Sequence, residues 1–216
     1  LVKVKFCGFT KAIDVENACQ LNPDFIGVVV GIPESPRNLD LDRARELLQK
    51  IPANIQRVCV TRMKSLTEGY KLVEYLRPDY LQIHPDFPPE EMSKLKERAG
   101  LIIVFSVPPD CHDASYIVKS VKLYEKIADI ILLDTKGPTG GGTGIPHDWR
   151  VSAEIRKRVK TPVFLAGGLN PTNVRDAIKV VQPDGVDVSS GIEDAPGQKS
   201  LEKMRSFLQA VRNMWR

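Results

Sequence analysis

Short, strongly apolar runs alternate with longer amphipathic stretches from one end of the chain to the other. The runs Val2–Phe6, Phe25–Val30, Arg57–Val60, Tyr80–Ile83, Leu101–Val104, Ile130–Leu133, Val163–Leu165 and Val186–Val188 predict strands. Several of them, Ile26-Gly27-Val28-Val29-Val30 and Leu101-Ile102-Ile103-Val104 among them, are continuous rather than alternating. Continuous runs suit strands covered on both faces, as in a parallel sheet sheathed by helices.

The intervening stretches have helical period. Leu41–Ile51 places Leu41, Ala44, Leu47 and Leu48 on one stripe. Ser65–Leu76 opens with the capping-box pattern Ser65-x-x-Glu68, and Pro78 follows as a stop signal. Pro171–Val181 is expected to start from Asn170 as cap with Pro171 in the first turn. Ser200–Val211 aligns Leu201, Met204, Leu208 and Val211. Eight strand–helix units in 216 residues predict an α/β fold, a (β/α)8 TIM barrel in a single domain over residues 1–216. The competing architecture is a doubly wound open sheet. It is disfavoured in its nucleotide-binding form because no GxGxxG follows the first strand.

Composition changes this picture little. Hydrophobic residues make up 42% and charged residues 27%, with a net charge of +4, ordinary for a globular chain. The basic excess suits an anionic small molecule as well as it suits a plain solvated surface. No basic stripe interleaved with aromatics suggests nucleic acid, and no apolar run or leader-like start suggests a membrane. Cys7, Cys19, Cys59 and Cys111 fit no zinc or redox spacing. A cytoplasmic location with reduced thiols is therefore expected.

In a barrel of this kind chemistry sits where strands end. Strand 1 runs out at Cys7-Gly8. An isolated cysteine there reads first as a small buried hydrophobe, yet at the mouth a thiolate can abstract a carbon-bound proton. Strand 6 runs out at Asp134 after Ile130-Ile131-Leu132-Leu133. Desolvation raises such a carboxyl's pKa and suits it to act as an acid, the plainer alternative being a loop brace. Residues Gly137–Gly144 follow, with five glycines in eight positions, among them Gly142 and Gly144, fit for close approach to a ligand or for closure over one. Gly167 and Gly168 after strand 7, with Ser189 and Ser190 after strand 8, occupy the two places where barrels commonly bind phosphate. Arg37 can pair with a carboxylate. His84 has no companion at metal-ligand spacing, so a neutral polar contact is expected there rather than a metal.

These residues together resemble the phosphoribosylanthranilate isomerase family over essentially the whole chain. The resemblance rests on Lys5-Phe6-Cys7-Gly8-Phe9-Thr10, Ser35-Pro36-Arg37, Gln82-Ile83-His84, Leu133-Asp134 ahead of Gly141-Gly142-Thr143-Gly144, Leu165–Pro171, and Gly185–Glu193. It implies an Amadori rearrangement of N-(5'-phosphoribosyl)anthranilate in tryptophan biosynthesis, with Asp134 as acid and Cys7 as base. It further implies Arg37 on the anthranilate carboxylate, the Gly167/Gly168 and Ser189/Ser190 loops on the phosphate, and Gln82, His84 and Asp187 as pocket contacts. No cofactor or metal is implied. The only partner expected is a phosphosugar substrate, with neither nucleic acid nor membrane, in a monomer or homodimer. The chain departs from the family pattern at Pro85, where Gly is usual, at Lys11, and at Thr61-Arg62. Rival readings are another phosphosugar barrel or a phosphate-ligand binding protein. The histidine-pathway isomerase has Asp where this chain has Cys7, and the lysines or histidines of other phosphosugar enzymes are not evident.

Overall fold

The computed structural model describes residues 1–135 and 146–213. Its eight barrel strands are β1 (Lys3–Cys7), β2 (Phe25–Val30), β3 (Gln56–Thr61), β4 (Tyr80–Ile83), β5 (Gly100–Val107), β6 (Ile130–Thr135), β7 (Val163–Leu165) and β8 (Gly185–Val188). All pair in parallel with their neighbours, and pairing of β1 with both β2 and β8 closes the ring. The helices are α1 (Ala12–Leu21), α2 (Leu41–Gln49), α3 (Leu66–Leu76), α4 (Pro89–Met92), α5 (Ser115–Tyr124), α6 (Trp149–Arg158), α7 (Val174–Val181) and α8 (Leu201–Arg212). The unit after β4 is the thinnest, one helical turn continued by a 3-10 segment, Ser93–Glu97. The barrel is the fold expected from the alternating pattern.

Two differences from that pattern bear on the site. Strand β6 runs on through Asp134 and Thr135, so Asp134 belongs to the ladder, paired with Ser106, instead of lying just past it. Helix α7 starts three residues later than its proline suggested. Asn170 caps the turn before it, where its Oδ1 accepts from the Thr172 and Asn173 N–H groups. At α3 the Ser65 hydroxyl caps the Glu68 N–H as expected, while the Glu68 carboxylate reaches Lys64 N–H.

Elements too short to have a period were invisible in the sequence. Asn38–Leu39 pairs with Val29 and Val30, taking over the β2 edge where β1 stops. A hairpin of Glu193–Ala195 and Gln198–Lys199 sits after β8 and sets Glu193 opposite Lys199. Thr10 ties it to the first strand exit by donating its hydroxyl to Gly197 O.

The apolar interior splits into two layers. A sheath of side chains lies between strands and helices, and a smaller cluster of Phe25, Val58, Ile102, Val104, Ile130, Leu132, Phe164 and Ala166 fills the barrel. At the floor, Phe25 meets Phe164 and Tyr80 edge-on, with centroids 5.4 and 5.5 Å apart. Such pairs add to burial. Room for these rings comes from the neighbouring strands. Gly100 is the register partner of Tyr80, and Gly185 that of Phe164. A Cβ on either would lie 2.5–2.6 Å from the ring.

One buried histidine braces the strand that carries Asp134. His147 Nδ1 lies 2.9 Å from Thr135 Oγ1 and Nε2 lies 2.6 Å from Ser152 Oγ. Burial lowers its pKa to about 4. The unfolded imidazole titrates at its ordinary value, so between the two pKa values the unfolded chain binds a proton that the folded chain refuses. Stability therefore falls as pH drops through that window, by at most about 3 kcal/mol. Urea denaturation at about pH 7.5 and about pH 4.5 is expected to show this loss, and His147→Asn is expected to shrink the difference between the two pH values.

Candidate active site

Strand parity brings the site together. Side chains two apart on a strand share a face, so Cys7 and Lys5 both point into the barrel. Asp187, the register partner of Lys5 on β8, points there too. Lys5 is fully buried, and its ammonium lies 2.9 Å from Asp187 Oδ1. The Cys7 thiol borders the same space. On the other side of Cys7 is its register partner Gly27. A Cβ there would sit 3.1 Å from Cys7 Sγ and 3.4 Å from Lys5 Nζ. Gly27 thus does for the thiol and ammonium what Gly100 and Gly185 do for the floor rings.

Above this layer, Cys7, Asp134, Asp187, Arg37, Gln82, His84 and Ser189 line one cleft of about 180 Å³ at the C-terminal ends of the strands. Larger grooves of ≈ 960 and ≈ 910 Å³ lie elsewhere, the first at the barrel floor beneath the rings and the second between α2 and α3. Neither contains a comparable set of reactive groups, so size does not mark the site here. These seven side chains were all singled out from the sequence, whereas Arg62 and Glu34, which also line the cleft, were not.

Electrostatics distinguish the two mouth residues from their surroundings. Asp134 has its pKa raised to about 7, first by burial and then by the nearby Asp187 carboxylate, with Lys5 pulling the other way. Burial pushes the Cys7 thiol up, but Lys5 opposes this by charge and hydrogen bond, and Lys199 by charge. Cys59 is the contrast. Buried among apolar side chains, it is pushed up to about 12 by burial alone. Burial also lowers the pKa of His84, favouring its neutral form. Gln82 Oε1 is buried and has no partner among the described residues.

Arg37 already holds a carboxylate, that of Glu193. Its Nε and Nη2 donate to the two Glu193 oxygens at 2.8 and 2.6 Å. Lys199 Nζ reaches the same group at 2.6 Å and Ser189 O at 3.2 Å. The Arg37 stem passes Gly8, whose φ of +79° and whose Cβ position 2.4 Å from Arg37 Cδ make glycine necessary there. Lys5, Glu193 and Lys199 were missed as site residues. Parity with Cys7 was an available signal for Lys5, whereas Glu193 and Lys199 depend on a hairpin that has none.

The loops after β7 and β8 touch backbone to backbone. A Cβ on Gly191 would fall 1.9 Å from Leu169 O. Gly167 and Gly168 have φ of +89° and +65°, and their N–H groups have no acceptor among the described residues. Ser189 and Ser190 lead into a 3-10 turn, Ser190–Ile192, whose first N–H groups are orphaned by geometry. The two loops thus meet at Leu169 and Gly191. Gly142 and Gly144 lie outside the described residues. Among the described residues, no three His, Cys, Asp or Glu side chains are grouped to hold a metal, and no helix is long and apolar enough to cross a membrane.

The family model described as N-(5'-phosphoribosyl)anthranilate (PRA) isomerase matches residues 4–210. The chain belongs to the phosphoribosylanthranilate isomerase family. Among phosphoribosylanthranilate isomerases, that of Methanothrix thermoacetophila is 39% identical over 214 residues, covering 99% of each chain. A crystal structure of a phosphoribosylanthranilate isomerase in complex with reduced 1-(o-carboxyphenylamino)-1-deoxyribulose 5-phosphate is similar with a TM-score of 0.83 at 30% identity, covering 99% of this chain and 100% of that one. Monomers of the dimeric phosphoribosylanthranilate isomerase of Thermotoga maritima give a TM-score of 0.84 at 30% identity with the same coverage.

Gly27 offers a direct check on the geometry. Gly27→Val is expected to displace Cys7 and Lys5 and to cost about 1–3 kcal/mol by overpacking, read by chemical denaturation. The folded variant is expected to lose the family's isomerase turnover.

Proposed function

We propose that the chain catalyses the Amadori rearrangement of N-(5'-phosphoribosyl)anthranilate to 1-(o-carboxyphenylamino)-1-deoxyribulose 5-phosphate in tryptophan biosynthesis, acting in the cytoplasm as one catalytic domain, monomeric or homodimeric. The observation that carries this reading is one cleft with a carboxyl of pKa about 7 and a thiol beside a buried ammonium, in a chain of this family.

The rearrangement conserves oxidation state overall, so acid and base suffice and no cofactor is invoked. Asp134, as the acid, protonates the furanose ring oxygen, and the ring opens to a protonated Schiff base. Cys7 thiolate then takes the C2' proton, leaving an enolamine that tautomerises to the ketone. The phosphate is held by the free N–H groups of Gly167 and Gly168 with Ser189 and Ser190, as the converging loops allow. Arg37, fixed by Glu193, uses its remaining donors for the anthranilate carboxylate. Gln82 Oε1 and neutral His84 supply polar contacts on the far wall.

The ionisation of the two groups sets a particular pH profile. The thiol pKa lies above its ordinary value and that of Asp134 at about 7. Between those values the pair holds one proton, mostly on sulfur. The productive arrangement, thiolate with carboxylic acid, is then the minor one. Accordingly kcat/KM is expected to rise as pH approaches about 7, hold level, and fall only above the ordinary thiol range. A decline beginning at about pH 7 would reverse the assignment of the limbs.

The assay is loss of anthranilate fluorescence from freshly generated phosphoribosylanthranilate without added metal. Turnover is expected, and Cys7→Ser and Asp134→Asn are each expected to lower kcat by about 10²–10⁴-fold. Wild-type protein that binds a product analogue but does not turn over would favour a binding protein instead.

A further inference from the structure

The Lys5–Asp187 pair is a buried charged element that the mechanism leaves without a task. It joins the two adjacent strands β1 and β8, with Nζ and Oδ1 2.9 Å apart, the ammonium wholly enclosed and the carboxylate at the cleft wall. Burying two such charges is costly, and a pair of apolar side chains would fill the space at lower cost. Its position relates it to both mouth residues at once. The ammonium shares the space over Gly27 with Cys7 Sγ, while the carboxylate lines the same cleft as Asp134 and is the like charge that acts on it.

We propose that the Lys5–Asp187 ion pair separates the duties of base and acid, its ammonium placed to stabilise Cys7 as thiolate and its carboxylate placed to keep Asp134 protonated. The inference rests on the reading of Cys7 and Asp134 as base and acid. Lys5 and Asp187 act through those two groups and are positioning residues. Asp187, considered above as a substrate contact, is in this account the counter-ion that allows an ammonium to exist at the barrel's centre.

The other charged neighbours do not duplicate this arrangement. Cys7 feels Lys199 from the hairpin and Arg37 from the loop after β2. Both of these are engaged by Glu193, which offsets their charge. Arg62 and His84 line the opposite wall of the cleft, and burial favours the neutral form of His84. Asp134 faces Asp187 and Lys5, and its other influence is the Thr135 backbone N–H. For the thiol the Lys5 effect exceeds that of Asp187, and for Asp134 the order is reversed.

That ordering gives signatures which loss of structural support alone does not produce. In Asp187→Asn both limbs of the kcat/KM profile are expected to move to lower pH, because a negative charge is removed from both groups. In Lys5→Met/Asp187→Leu, which leaves no unpaired charge buried, the acid limb is expected to fall and the thiol limb to rise. The plateau then widens and drops about tenfold for each pH unit of added separation. Alkylation of Cys7 by iodoacetamide, followed against pH by peptide mass, reads the thiol without substrate. Its midpoint is expected to fall in Asp187→Asn and to rise in the double variant. Folded variants with lowered turnover but unmoved limbs and an unmoved alkylation midpoint would overturn the proposal. Should the alkylation midpoints move as stated while wild-type protein shows no isomerase turnover, the assigned reaction would fall and the electrostatic role of the pair would stand.

Discussion

A lysine with no solvent exposure inside a barrel imposes conditions on everything around it. The Lys5 ammonium is tolerable only because Asp187 sits opposite it in register, and an unpaired buried charge would cost several kcal/mol. Register between β1 and β8 is therefore under a constraint much stricter than apolar packing supplies. A slip of β1 by one residue would turn Lys5 into the sheath of aliphatic side chains and leave Asp187 unpaired inside the barrel. On the other edge of β1, the register with β2 places Cys7 beside Gly27. Closure of the barrel, placement of the thiol and the electrostatics of the cleft thus all depend on the two pairings of β1.

Three inward glycines show how the barrel accommodates what it contains. Gly100 and Gly185 yield space to Tyr80 and Phe164, and Gly27 yields it to Cys7 and Lys5. The absence of a side chain on one strand is matched each time by an oversized or charged neighbour on the next. Packing at the floor and chemistry at the mouth follow one rule, with aromatic rings in the first case and reactive groups in the second.

Much of this was legible in the chain, for identifiable reasons. Long apolar runs such as Ile130–Leu133 declare themselves as strands, and a polar residue at the end of such a run, Asp134, stands out against it. Cys7 was visible in the same way. Lys5 was readable only by taking its parity with Cys7 seriously, since lysine in a strand usually marks an exposed face, as Lys3 does. The Arg37–Glu193–Lys199 cluster was not readable at all. Strands of two or three residues have no measurable period, and the partners are separated by 156 and 6 positions. The expectation that Arg37 pairs with a carboxylate caught the chemistry of its fork, while its partner inside the protein depended on tertiary contacts.

The histidine that braces Thr135 has a consequence for how this barrel can vary. Thr135 and His147 stand on either side of the ten-residue stretch 136–145, and their side chains are joined at 2.9 Å. Both ends of that stretch are therefore fastened to each other and, through Ser152, to α6. Loop closure depends only weakly on the number of residues between fixed ends. Insertions, deletions or wholesale exchange between the two anchors would leave the strand beneath them in register and Asp134 in place. The clasp uncouples the sequence between its two anchors from the register of the strand, so that one can vary in evolution while the other stays fixed.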